Sequence, residues 1–339
     1  MPLFDAYLMF DWSASSVPKT GRDSIWAAWG RFGDPGSPRT ANLSTRKRAR
    51  ELAENLLADA VHRSLRVLVG FDFAYGYPRG FARCLRSEKE EAWKSIWEAI
   101  AAEVHDDLEG IPNKNDRFAA AGRINRHLGA TSFVGPFWAC PSEPKWEFLN
   151  PSRPDFESVF ATLGLCEYRS TELQLRADGR PSIQSVWKLF TSGSVGGQAL
   201  LGIPVVNSLV DRFRAHSQVW PFETGFAATP SPDEGPFILH AEIWPGILEK
   251  PGQALDDRNF VCRDEAQVSA LVDTLRSLDG DGVLGSLFAP SAISDHSDPQ
   301  LRSEEGWILG AGIGPGLAED ISARAERLVA AYSPPPATW

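Results

Sequence analysis

The sequence predicts an α/β fold, a mixed sheet flanked by helices and interrupted by a largely helical, loop-rich insertion. Three observations predict it. Two short apolar runs, YLMFDWSAS (Tyr7–Ser15) and VLVGFDFAYGYP (Val67–Pro78), each stop on one aspartate, Asp11 or Asp72, and then break into small and turn-forming residues. Runs of that length bounded by turn signals read as buried strands. Between them lies a stretch with helical apolar spacing, and after residue 86 the pattern turns helical and loop-rich before strand-like runs return.

The elements follow in order. Tyr7–Asp11 is a strand, Ser24–Phe32 a second, and the GDPGSP turn (Gly33–Pro38) leads to a short third at Arg39–Leu43. Ser44 or Thr45 caps a helix whose apolar positions Ala49, Leu52, Ala53, Leu56, Leu57, Ala60 and Val61 repeat at i, i+3, i+4, i+7. Arg66–Asp72 is apolar without alternation, as expected for a strand covered on both faces. Residues 1–85 thus form the first part of a sheet core.

Residues 86–185 read as an insertion, with an amphipathic helix at Ser87–Val104, another at Asp116–Leu128, a packed loop at Gly135–Pro154 and a strand in YRSTEL (Tyr168–Leu173). Residues 186–332 return to the core. A glycine-rich turn lies in Val186–Leu200, and helices are expected at Val205–Phe213, Asp264–Leu278 (with Asp264 and Gln267 as a capping pair) and Gly316–Tyr332. Strands are expected at Gln218–Glu223 and Pro236–Trp244, with an edge strand at Trp307–Gly310 and a mobile tail at 333–339.

Composition narrows the function. A chain of 339 residues with 43% hydrophobic and 23% charged content belongs with soluble globular proteins. No apolar stretch reaches the ~18–20 residues that span a bilayer, so no membrane partner is expected. The four cysteines are far apart and form no CxxC pair, which reads as reduced thiols in a cytoplasmic protein without a zinc site. A formal net charge of −10 argues against gripping duplex nucleic acid. It leaves room for a small phosphorylated or nucleotide-like substrate held through a metal. The basic run Arg46, Lys47, Arg48 and Arg50 reads first as a solvated helix face and second as an anion-facing patch.

The chemistry centres on the two aspartates. A carboxylate at the end of a buried strand costs several kcal/mol unless it is paired, hydrogen-bonded or metal-bound. Two such strands side by side would make an acidic pocket suited to Mg²⁺ or Mn²⁺. Asp11 is followed by the hydroxyls and turn amides of Ser13–Ser15, which suit a metal-bound phosphate; the alternative is an aspartate that satisfies its own turn. In HAEIWPG (His240–Gly246) strand alternation puts His240, Glu242 and Trp244 on one side: an imidazole proton shuttle, an acid and a stacking indole, or equally the wet face of an edge strand. Arg169 could clamp a phosphate or sit in a surface ion pair, with Glu172 nearby. Lys188 with the loop TSGSVGGQ (Thr191–Gln198) has the composition of a phosphate cradle but not the spacing of one. Asp273, on the late helix, would add an acid if that side faces the sheet.

Taken together, strand–Asp, hairpin, helix, strand–Asp with Gly-Tyr-Pro, then Arg169-x-Thr-Glu, Glu242-x-Trp-Pro, a helix opening Asp264-Glu-x-Gln-Val, and EGWILG (Glu305–Gly310) resemble a family of uncharacterised ribonuclease-H-like proteins. Some of its members are labelled molybdopterin-guanine-dinucleotide or cobalamin biosynthesis proteins. The resemblance covers most of the chain except Ser87–Pro154 and the tail. It implies a mixed sheet that starts with three antiparallel strands and carries carboxylates over its centre. The residues that match are Asp11, Asp72, Arg169, Glu172 and Glu242. Where relatives carry a further acid on the late helix this chain has Ser269, and Asp273, one turn on, is the substitute on offer.

The expectation is therefore a metal-dependent enzyme acting on a phosphate ester of a nucleotide, a nucleotide-containing cofactor or a short nucleic acid. Asp11, Asp72 and Glu242 would hold the metal, Glu172 and Asp273 would add to it, His240 would move a proton, and Ser13, Arg169, Lys188 and Trp244 would bind substrate. The alternatives are an actin- or sugar-kinase-like nucleotide binder and a non-catalytic binding protein with a degenerate acidic site.

Overall fold

The computed structural model describes residues 1–34, 36, 38–86, 91–129, 135–142, 146–191, 193–250, 252–293 and 298–332. The expected tail at 333–339 lies outside them. The strands are β1 (Ala6–Asp11), β2 (Ile25–Arg31), β3 (Arg39–Leu43), β4 (Arg66–Phe71), β5 (Ser217–Val219) and β6 (Phe237–Glu242). The helices are α1 (Arg46–His62), α2 (Phe81–Cys84), α3 (Ala92–Glu103), α4 (Arg117–His127), α5 (Phe156–Leu163), α6 (Ser170–Ala177), α7 (Gly196–Arg212), α8 (Arg263–Gly280), α9 (Gly285–Phe288) and α10 (Pro315–Ala331).

The chain divides into two units. The first comprises residues 1–72, 209–296 and 308–339, and the second residues 73–208 and 297–307. The first unit holds a six-stranded mixed sheet in the order β3-β2-β1-β4-β6-β5. β1 and β2, and β2 and β3, pair antiparallel, whereas β1–β4, β4–β6 and β6–β5 pair parallel. β4 and β6 are buried along their whole length and β1 up to Asp11, which explains their largely apolar sequences. Thr45 caps α1 by accepting the amide of Arg48, and Ala49, Ala53, Leu57 and Ala60 form its buried face.

Parallel register assigns each side chain to a face. Phe10, Phe71 and Glu242 are paired neighbours, so they share one face. Phe10 and Phe71 stack there at 4.6 Å between ring centroids. Met9, Gly70 and Ala241 point the other way, as do Asp11 and Asp72, one step beyond the last paired residues. Gly70 is needed on that second face: a Cβ there would lie 2.5 Å from Ile243 Cγ2 and 2.6 Å from Met9 Sδ.

α8 packs on β1, β2 and β3 on the same face as the aspartates, since a Cβ on Gly30 of β2 would meet Val272 of α8 at 2.6 Å. Its direction is fixed at the far end. Asp279 accepts the amides of Leu3 and Phe4 and the hydroxyl of Tyr7, tying the end of α8 to the start of β1. The helix therefore runs antiparallel to β1, and its first turn arrives where β1 ends.

The second unit is built around α2–α6, most of α7 and an aromatic core. Tyr77, Phe81, Phe137 and Trp187 meet with centroids 4.8 to 6.1 Å apart. The expected amphipathic face of α3 is borne out, with Trp93, Ile96, Trp97 and Ile100 buried.

Four local expectations are corrected. YRSTEL is not a strand: Ser170–Ala177 is helix α6, opened by a capping box between Arg169 and Glu172. The glycines of GGQ begin α7 instead of forming a loop, and Pro204 lies inside that helix. Of QVWPFE only Gln218 and Val219 lie in a strand, β5 (Ser217–Val219). Trp307–Gly310 makes one bridge, Ile308 with Glu242, and not a strand. Among the described residues, no helix is long and apolar enough to cross a membrane.

Candidate functional site

β1 and β4 are adjacent and parallel, so both end at the same edge of the sheet. Asp11 and Asp72 stand there side by side. The crevice outside the carboxyl ends of parallel strands is where open α/β sheets bind ligands. The amide of Trp12 donates to Asp72 Oδ1 at 2.6 Å, which locks the turn after β1 onto the end of β4. The Asp11 and Asp72 carboxyls are neighbours, placed so that the charge of Asp11 acts on Asp72. Two carboxyls this close disfavour each other's ionised form.

Both groups keep part of their surface open to solvent. Surrounding protein nonetheless disfavours their charged forms. Burial first, then the charge of Asp264, push the Asp11 carboxyl up to about 8. Asp72 is raised well above the usual carboxylate range by burial and by the Asp11 charge, with the Trp12 amide opposing. Asp264 is raised as well, chiefly by burial.

Asp264 is the residue that the sequence reading misjudged. It does not cap the helix: Cys262 occupies the cap position and Asp264 lies in the first turn of α8. Its Oδ2 instead accepts the amide of Asp23 at 2.6 Å, bringing the loop before β2 to the same edge. The signal for it was indirect, since only the direction of α8, imposed by Asp279, sends that turn to the aspartates.

Asp273 does not fill this role. It lies nine residues further along α8, about 13 Å from Asp264 at 1.5 Å per residue. It pairs with Arg276 at 2.6 Å, and burial pushes it up to about 6.

The expected triad of Asp11, Asp72 and Glu242 is not assembled, because register puts Glu242 on the opposite face. Among the described residues, no group of three or more His, Cys, Asp or Glu side chains is placed to hold a metal ion. His240 shares the Glu242 face but is fully buried, with Nε2 3.3 Å from the Ser217 hydroxyl and Nδ1 without a hydrogen-bond partner among the described residues. Burial lowers it to about 3. A neutral imidazole sealed from solvent is no proton shuttle near neutral pH. Trp244 is half-buried beside Gly246, where a Cβ would lie 2.3 Å from the indole.

The phosphate loop after Asp11 is also corrected. Ser13 Oγ donates to the Asp23 carbonyl and accepts the Ser15 amide; Ser15 Oγ donates to the Val17 carbonyl and accepts the Val17 amide. The buried Arg46 donates to the carbonyls of Ser13 and Ser15. That accounts for the basic residue at the start of α1: it holds the loop.

Arg169, Glu172 and Lys188 belong to the second unit. Arg169 and Glu172 are both buried. Arg169 Nε donates to Glu172 Oε1 at 2.8 Å, its amide to Oε2 at 2.7 Å, and Nη1 to the Glu305 carbonyl at 3.1 Å. Glu305 in turn accepts from Arg79 and the amide of Ser170. This is a buried structural network and not a phosphate clamp. Lys188 donates to Gln184 at 3.0 Å and sits 6.0 Å from the Trp138 ring centroid.

Compared with protein-family models, curated proteins and solved structures, the chain matches none of them. Its chemistry is therefore carried by its own geometry.

Proposed function

We propose that the first unit is a ribonuclease-H-like catalytic core that uses Mg²⁺ or Mn²⁺ to cleave or transfer a phosphate ester of a small nucleotide-like substrate. The carrying observation is the Asp11–Asp72 pair at the ends of adjacent parallel strands, with Asp264 brought alongside by α8. The strand order supports the fold half of the reading: three antiparallel strands, then parallel strands added at β1. Resemblance in the strand–Asp motifs supports the family half.

The donor set fits such an ion. Carboxylate oxygens suit hard cations, and Mg²⁺ usually keeps several waters while using one or two carboxylates plus substrate phosphates. A pair of carboxyls whose ionised forms are disfavoured when alone is relieved by a bound dication. The bound ion would supply Lewis-acid polarisation of the phosphoryl group. Asp11 and Asp72 would then be the anchoring carboxylates on rigid strand ends. Asp264 is free of an ion pair among the described residues, since its recorded bond is to a backbone amide; with its raised pKa, it is the candidate general acid or base beside them. Fixed hydrogen bonds from Trp12 to Asp72 and from Asp23 to Asp264 preorganise those two carboxylates.

The test is turnover of phosphomonoesters, dinucleotide cofactors and short single-stranded oligonucleotides with Mn²⁺, for wild type and Asp72→Asn. Activity that is metal-dependent and lost in the variant supports the reading. Metal-dependent stabilisation without turnover of any of them would instead support a binding protein.

A further inference from the structure

A second site lies on α4. Outside the crevice just described, the second unit has a cavity of about 320 Å³ lined by Gly122, Arg123, Arg126, Trp146, Glu147 and Phe148, among others. That is the lower end of the volumes that hold small ligands. We propose that this cavity binds a small anion carrying a planar ring.

The two guanidinium groups on its wall are not equivalent. Arg123 is neutralised by Glu103 at 2.7 Å and Asp116 at 2.8 Å. Arg126 has no carboxylate partner among the described residues; its neighbour is the Phe148 ring, 6.0 Å from guanidinium carbon to centroid. An exposed guanidinium held at an aromatic face keeps its fork of donors for an incoming anion. Trp146 and Phe148 offer ring surface beside it, and the buried Trp146 indole N–H has no acceptor among the described residues. The lining is close-built: a Cβ on Gly122 would lie 2.3 Å from the Glu147 carbonyl, so only glycine lets α4 approach that segment. The exposed Glu147 carboxylate opposes an anion and sets a limit on its charge. A ring to cover the aromatic wall and one anionic group for Arg126 answer both features.

This inference does not rest on the acidic pair, and the test separates the two. Calorimetric titration in EDTA uses AMP (ring and anion), adenosine (ring alone) and inorganic phosphate (anion alone), on wild type, Arg126→Ala, Glu147→Gln and Asp72→Asn. The expected result is one AMP site, tighter than either fragment, about tenfold weaker in Arg126→Ala, tighter in Glu147→Gln and unchanged in Asp72→Asn. No AMP binding, AMP no tighter than phosphate, an unaltered Arg126→Ala affinity, or loss of binding in Asp72→Asn would each overturn it.

Discussion

The pairing of the Asp11 and Asp72 carboxyls at the ends of two adjacent parallel strands disfavours their ionised forms. Its energetic consequence is that the native state holds protons which the unfolded chain has already released at the same pH.

The sign of the pH dependence follows from this. Asp11 is raised from an ordinary value near 4 to about 8, so the pair's stabilising effect is complete below about pH 4 and lost as pH rises to about 8. Asp72→Asn keeps an acceptor for the Trp12 amide and removes one charge. It should gain on the order of 1–3 kcal/mol over wild type at pH 8.5, with little difference at pH 5. Urea unfolding at the two pH values checks this; parallel curves would contradict it.

His240 titrates in the opposite sense. Its folded pKa lies near 3, below the usual 6.5, so its effect is present above about pH 6.5 and lost as pH falls toward 3. His240→Leu should flatten the loss of stability between pH 6.5 and 4. A proton shuttle at position 240 would instead show as a lost inflection near pH 6–7 in the pH–rate profile, which the buried geometry does not predict.

Arg169→Ala should cost about 3–5 kcal/mol, because Glu172 is then left buried without its partner. Replacing both residues with apolar side chains of similar volume should recover much of the loss. Thermal unfolding of the single and double variants distinguishes this structural role from phosphate binding, in which the single variant would keep wild-type stability and lose only substrate affinity.

Gly70→Ala should destabilise by about 1–3 kcal/mol through overpacking against Ile243 and Met9. Truncating Ile243 to Ala, which removes the Cγ2 that the new methyl would meet, should lessen the effect. A neutral Gly70→Ala would contradict the packing on the aspartate face.

Much of this was legible in the sequence, and the failures have physical reasons. β1, β4 and α1 were readable because their apolar patterns are bounded by turns and a cap. Asp11 and Asp72 were readable because a lone acid ending a buried strand is expensive. Glu242 was misplaced because a strand's sequence gives alternation but not which face its neighbours use; that needs the register with β4. Arg169 and Glu172 read as a strand because their helix is short, and its cap is a long-range network closed by Glu305. Asp264 was hidden because its role comes from the direction of α8, fixed by bonds 15 residues later at Asp279.

The central claim is that Asp11 and Asp72, which hold on to a proton at neutral pH, give it up for a divalent cation. The most direct measurement is calorimetric titration of Mn²⁺ at pH 7 in two buffers of different ionisation enthalpy, with wild type and Asp72→Asn. Binding to wild type with release of about one proton, lost in the variant, is the predicted result. Absence of binding, or binding that survives Asp72→Asn with no proton released, would contradict it.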